Sequence, residues 1–105
     1  MAENKVLVFA SFRPKSGQEK EVETILRGMV APTRNEPGNE CYDLYKRQVS
    51  REGEHRYHLF EKYRDGEALQ AHRDSEHYKN YRSAIGDHLA EPIGVIVLEA
   101  VDAAS

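Results

Sequence analysis

The chain has 105 residues, fifteen Lys and Arg against eighteen Asp and Glu, and a formal net charge of −3. That length suits one domain, and the charge balance excludes the basic stripe with which nucleic-acid-binding proteins neutralise phosphates. At 39% hydrophobic and 31% charged residues, the chain is less apolar and more charged than the globular average, so its core is expected to be thin. No apolar run approaches the roughly 18 residues of a membrane span, and Met1 to Lys5 leads into a strand-like stretch without a signal peptide's apolar region. A cytoplasmic protein with no membrane partner is the expectation. The single cysteine, Cys41, permits neither an internal disulfide nor a cysteine-based zinc cluster, and reads as a half-buried strand residue.

Lys5 to Phe12 (KVLVFASF) is apolar on both alternating sets and predicts a strand covered on both faces. Pro14 and Gly17 mark a turn, and Ser16 with Glu19 forms the S-x-x-E pattern of a capping box. Val22, Ile25, Leu26, Met29 and Val30 then line one stripe of a helix that is expected to end, or kink and continue, near Pro32. Glu36, Pro37 and Gly38 read as a turn. Glu40 to Val49 and His55 to Arg64 predict two strands of a hairpin joined by the polar loop Ser50 to Glu54. Asp65 is a candidate cap for a second helix with Ala68, Leu69 and His72 on one face; Ser75 is a candidate cap for its continuation, carrying Tyr78, Tyr81, Ile85 and Leu89. Pro92 marks its end, and Ile93 to Val101 predicts a last strand, apolar on both faces except for Glu99. Asp102 to Ser105 reads as a frayed tail.

The order β-α-β-β-α-β is the ferredoxin-like split βαβ unit, an α+β fold with a four-stranded antiparallel sheet and both helices on one face. One domain over residues 1–105, with a core spanning 5–101, is expected. The helix-free face would then leave contiguous apolar surface in water, and a homodimer formed sheet to sheet is the simplest remedy.

Ala31 to Tyr45 (APTRNEPGNECYDLY) and Tyr57 to Tyr81 (YHLFEKYRDGEALQAHRDSEHYKNY) carry E-P-G before a strand with Y-D-L, then F-E-x-[WY]-x-D, A-x-x-x-H and H-[YF]-K. In these pieces the chain resembles the antibiotic-biosynthesis monooxygenase domain family. The resemblance implies a dimeric α+β barrel in which two sheets face each other as eight strands, with a pocket between sheet and helices in each subunit. It also implies a spread of activities: cofactor-free quinol monooxygenases, haem-degrading enzymes and an enzyme processing a phosphorylated signalling sugar.

Alternation puts Tyr57, Leu59, Glu61 and Tyr63 on one face of the third strand and Arg56, His58, Phe60, Lys62 and Arg64 on the other. The first set is expected to face the helices, because Leu59 and Tyr63 match family positions whose side chains enter the pocket. Tyr63 stands where many relatives carry tryptophan and adds a hydroxyl able to bind a quinol oxygen. His72 shares the sheet-facing stripe with Leu69, where it is either a proton acceptor oriented by Glu61 or a half-buried histidine with a structural bond. Glu61 is either that orienter or the partner of an arginine. Tyr78 and Tyr81 belong to core or pocket wall, and His77 is expected near the pocket mouth. His55, His58 and His88 are scattered, and no histidine pair has the i, i+4 spacing of a helical metal site, so no metal centre is expected. The glycines form no dinucleotide or phosphate loop. The haem-ligand position of the haem-degrading branch aligns with Tyr81, a departure from that branch's histidine.

The expected function is a cofactor-independent monooxygenase acting on a hydroquinone or polyphenol and O₂, with His72, Glu61 and Tyr63 catalytic and Leu59, Tyr57, Tyr78, Tyr81 and His77 binding substrate. Two alternatives stay open. One is an isomerase or lyase on a small phosphorylated carbonyl compound, with Lys79 or Arg82 supplying charge. The other is a non-catalytic small-molecule-binding dimer.

Overall fold

A computed structural model describes residues 5–48 and 55–104. Strand β1 (Val6–Phe12) is followed by helix α1 (Glu19–Arg34), strands β2 (Asn39–Lys46) and β3 (Tyr57–Tyr63), helices α2 (Gly66–Asp74) and α3 (Glu76–Ile85), a 3₁₀ turn (Gly86–His88) and strand β4 (Gly94–Glu99). The four strands form one antiparallel sheet in the order β2-β3-β1-β4, which is the ferredoxin-like arrangement expected from the element order. The loop expected over Ser50 to Glu54 lies outside the described residues, as do Val49 and Ser105.

Several boundaries differ from the sequence reading, each for a local reason. Ser16 does not cap α1: the helix starts after Gln18, which makes no side-chain cap bond, and Ser16 falls in the turn where Gly17 takes a φ of +83°. Acidic Glu19 and Glu21 favour that helix start through the macrodipole instead. At the other end α1 runs through Pro32 to Arg34. The carbonyl four residues back belongs to exposed Gly28, where water can meet it, so the missing hydrogen bond costs little. The second helix is two helices, broken at Ser75, whose backbone is extended (φ −71°, ψ 154°). Ser75 Oγ donates to the His72 carbonyl at 2.6 Å and accepts from the Tyr78 N–H at 3.2 Å, closing one helix and opening the next. Asp65 caps α2 by accepting from the Ala68 N–H at 2.8 Å.

The helices cover the face carrying Val8, Ala10, Phe12, Tyr42, Tyr57, Leu59, Glu61 and Tyr63, and the core forms there with Val22, Leu26, Met29, Tyr81 and Ile85. On the opposite face Phe9 stacks on His58 with centroids 5.1 Å apart and meets Phe60 edge-on at 6.3 Å. Strand β4 is exposed along its whole length, Ile96 at 54% and Val97 at 53%, and so presents apolar side chains on both faces.

Candidate functional site

Two links hold the turn between α1 and β2 against the start of α2. The Gly38 carbonyl accepts from the Arg64 N–H at 2.9 Å, and Gly38 lies so close to Ala68 that an added Cβ would sit 2.3 Å from the Ala68 methyl. Glu36 is locked within this turn, its N–H bonded to the Thr33 carbonyl at 3.0 Å and its carbonyl accepting from Asn39 at 3.1 Å. This backbone aims the Glu36 carboxylate at the junction of α2 and α3.

His72, 2% exposed, lies at that junction. Its Nδ1–H donates to Glu36 Oε2 at 2.8 Å, and His77 Nε2–H donates to the same oxygen at 2.5 Å. Because a carboxylate oxygen accepts, this partner assigns the proton of His72 to Nδ1 and leaves the Nε2 lone pair free. Nε2 is turned toward Glu61, whose Oε1 is 4.0 Å away. Aromatic rings surround the imidazole: Tyr78 at 5.0 Å, Tyr63 at 5.2 Å and Tyr42 at 5.8 Å between centroids.

Burial dominates the electrostatics. It pulls the His72 pKa down and outweighs the opposing pull of Glu36, so the imidazole is held neutral. Burial also pushes Glu61 up to about 7 even though Tyr63 Oη–H donates to its Oε1 at 2.7 Å. The Tyr63 phenol is itself raised by burial and by the Glu61 charge. Burial thus brings the proton affinities of Glu61 and His72 close together, while Tyr63 is held as a neutral phenol beside them.

Between these groups and β4 lies a cavity of about 20 Å³, lined by Tyr42, Glu61, His72, Tyr78, Tyr81 and Arg82 among others. It has room for about one water-sized molecule. A larger groove of about 560 Å³ lies between α1 and β2, lined by Glu23, Arg27, Arg34, Lys46 and Tyr57 among others. Size alone does not select it: its polar lining includes the exposed side chains of Arg27, Arg34 and Lys46, and it brings no histidine into reach. The α3 wall of the small cavity carries exposed Arg82, which donates to Tyr78 Oη at 2.8 Å and lies over the Tyr78 ring.

The structure therefore brings together His72, Glu61, Tyr63, Tyr78, Tyr81 and, through Glu36, His77. Tyr57 is not among them: its hydroxyl donates to Glu23 at 2.7 Å at the α1–β2 groove. Leu59 is enclosed in the core. Glu61 takes its hydrogen bond from Tyr63, not from an arginine, and the oriented nitrogen of His72 belongs to Glu36, not to Glu61. Sequence reasoning passed over Glu36 because it treated E-P-G only as a turn. No local signal marks it, because its role comes from contacts with His72 and His77, 36 and 41 residues further along the chain. Tyr42 and Arg73 were also missed, although Y-D-L and H-R-D were in view. Cys41 is half-buried, and burial and Asp43 push its thiol pKa up, holding it as an inert thiol.

Absent helical spacing had argued against a metal centre, yet Glu36, His72 and His77 place three ligand atoms within 4.8 Å of one another. The break at Ser75 achieves what i, i+4 spacing achieves on a continuous helix. No helix among the described residues is long and apolar enough to cross a membrane.

The family model described as antibiotic biosynthesis monooxygenase matches residues 5–84. Rv0793 of Mycobacterium tuberculosis is 42% identical over 100 residues, 95% of each chain. Its solved structure has a TM-score of 0.87, at 40% identity, covering 96% of this chain and 99% of its own. PA3566 of Pseudomonas aeruginosa is 25% identical with a TM-score of 0.84, covering 97% and 99%. On sequence and on fold alike, the chain belongs to the antibiotic biosynthesis monooxygenase family, and its function is that of a monooxygenase-like oxidoreductase.

Proposed function

We propose that the protein is a cofactor-independent monooxygenase of a hydroquinone or related polyphenol, working as a homodimer. The supporting observation is the oriented, neutral His72, with Nδ1–H fixed by Glu36 at 2.8 Å and Nε2 facing a tyrosine-walled cavity. In the proposed reaction Nε2 accepts the phenolic proton, and Tyr63 with Glu61 meets the second oxygen. The substrate anion supplies all the electrons: hydroquinone plus O₂ gives hydroxyquinone plus water, one oxygen atom in each product. Arg73 and Arg82 on the cavity wall favour an anionic ligand such as the phenolate. The same charge suits a phosphorylated carbonyl compound, which would be isomerised without O₂. Ring substrates exceed the cavity, so entry requires Tyr78 and Arg82 to swing outward.

The dimer is proposed to form through the helix-free face, where Phe60, Ile96 and Leu98 are exposed. The test is O₂ uptake with a panel of hydroquinones in the presence of chelator, with product analysis. His72→Ala is expected to lower turnover by about a hundredfold or more while the dimer stays folded. If uptake is absent and phosphorylated sugars isomerise without O₂, the second reading takes its place.

A further inference from the structure

We propose that Glu36, His72 and His77 form a binding site for a divalent transition-metal ion, and that occupancy takes His72 out of proton transfer. The second half rests on the function proposed above; the first does not.

Two imidazole nitrogens and one carboxylate oxygen form a donor set suited to zinc and its neighbours, and unsuited to calcium or magnesium, which prefer oxygen. The three ligands come from three separate pieces of the fold: the α1–β2 turn, the end of α2 and the first turn of α3. Their donor atoms already converge on Glu36 Oε2, at 2.8 and 2.5 Å. Tetrahedral coordination at about 2.0–2.2 Å sets neighbouring donors roughly 3.3 Å apart, so the His72 and His77 nitrogens must retreat from Glu36 Oε2 by about 0.5 and about 0.8 Å, within a donor set whose members already lie within 4.8 Å of one another. The site also has an anchor and an entrance: the His72 side chain is 2% exposed, while those of Glu36 and His77 are 16% and 27% exposed. Fewer than four protein ligands leave a coordination position for water, as in open zinc sites.

Proton bookkeeping links the ion to the reaction. In the metal-free protein both imidazoles spend their N–H groups on Glu36. To ligate, His72 must free Nδ1 and carry its proton on Nε2; His77 must free Nε2 and carry its proton on Nδ1. The new Nε2–H of His72 faces Glu61, whose Oε1 at 4.0 Å must close by about 1 Å to complete the carboxylate–histidine–metal arrangement that strengthens ligation. The lone pair that faced the cavity is then gone, so the loaded protein cannot accept a substrate proton at His72.

Dialysed protein titrated with Co²⁺, followed by visible absorption, is expected to take up one ion per chain, displaced by Zn²⁺. Glu36→Gln and His77→Ala should each weaken uptake by about a hundredfold or more, whereas Cys41→Ser should leave it unchanged. In unmodified protein, Zn²⁺ should move the imidazole resonances of His72 and His77 and not those of His55, His58 and His88, a readout that depends on no variant folding. Absence of saturable uptake, or uptake indifferent to Glu36→Gln and His77→Ala, overturns the site. Saturating Zn²⁺ should abolish quinol oxidation, and chelator should restore it; full activity of the loaded protein overturns the inhibitory role. If metal-free protein oxidises no quinol, the function proposed above fails while the titration still decides the site.

Discussion

Replacing the Glu36 carboxylate by an amide leaves the two imidazoles that share its Oε2 a neutral, weaker acceptor and sets an NH₂ donor beside them. Glu36→Gln is therefore expected to lower quinol turnover nearly as far as His72→Ala, because a loosened ring loses both its tautomer and its aim. Steady-state O₂ uptake on the two variants side by side makes the comparison, and wild-type turnover in Glu36→Gln would remove Glu36 from the site. A second residue-scale prediction concerns His58 on the opposite face, whose Nδ1 pairs with Ser11 Oγ at 3.1 Å. Burial, then the neighbouring Arg47 and Arg56, lower its pKa below the ordinary 6.5. The folded state thus prefers the neutral ring. Its stability contribution is complete above the unfolded pKa and is lost as pH falls toward the folded value. Between about pH 7.5 and about pH 5.5 the urea midpoint should fall more in the wild type than in His58→Gln, which carries no such proton. His72, Glu61 and Tyr63 were legible because period 2 in a strand and 3.6 in a helix put them on buried faces. Glu36 was not, since a turn residue has no period and its role comes from a contact distant in sequence.

For the elements, the caps at Asp65 and Ser75 could be read directly, because a short polar side chain before an apolar stripe does the same local work in most contexts. Ser16 misled for the opposite reason: the S-x-x-E spacing was present, but the cap position fell two residues beyond it, at Gln18. Position of α2 depends on Gly38, which no local rule flags, since its φ is not positive and the constraint lies in the approach of Ala68. Gly38→Ala is expected to push α2 outward at a cost of about 1–3 kcal/mol, and to reduce turnover by displacing His72. The double variant Gly38→Ala, Ala68→Gly should recover most of both losses. Thermal midpoints and O₂ uptake on the three proteins test this, and an unshifted midpoint in Gly38→Ala would show that α2 does not depend on that contact.

At the scale of the molecule, the antiparallel sheet and its order followed from the succession of elements, but the full exposure of β4 did not. Periodicity marks Gly94–Glu99 as apolar on two faces without revealing that α2 and α3 stop short of it. Light scattering at micromolar concentration should give the mass of a dimer. Ile96→Lys should loosen that dimer by at least about a hundredfold, because it places a charge in a dry interface, whereas Gln70→Lys on the exposed side of α2 should not. A stable monomer in the unmodified protein would remove the proposed interface. The sheet order also bears on how the chain is made. Strand β1 leaves the ribosome first yet sits between β3 and β4, so during translation its backbone donors and acceptors wait through α1 and β2 for one neighbour, and through α2 and α3 for the other. An unpaired central strand recruits other chains as readily as its own. Nascent chains stalled before Gly94 should therefore be chaperone clients, and release from the chaperone should coincide with the synthesis of β4.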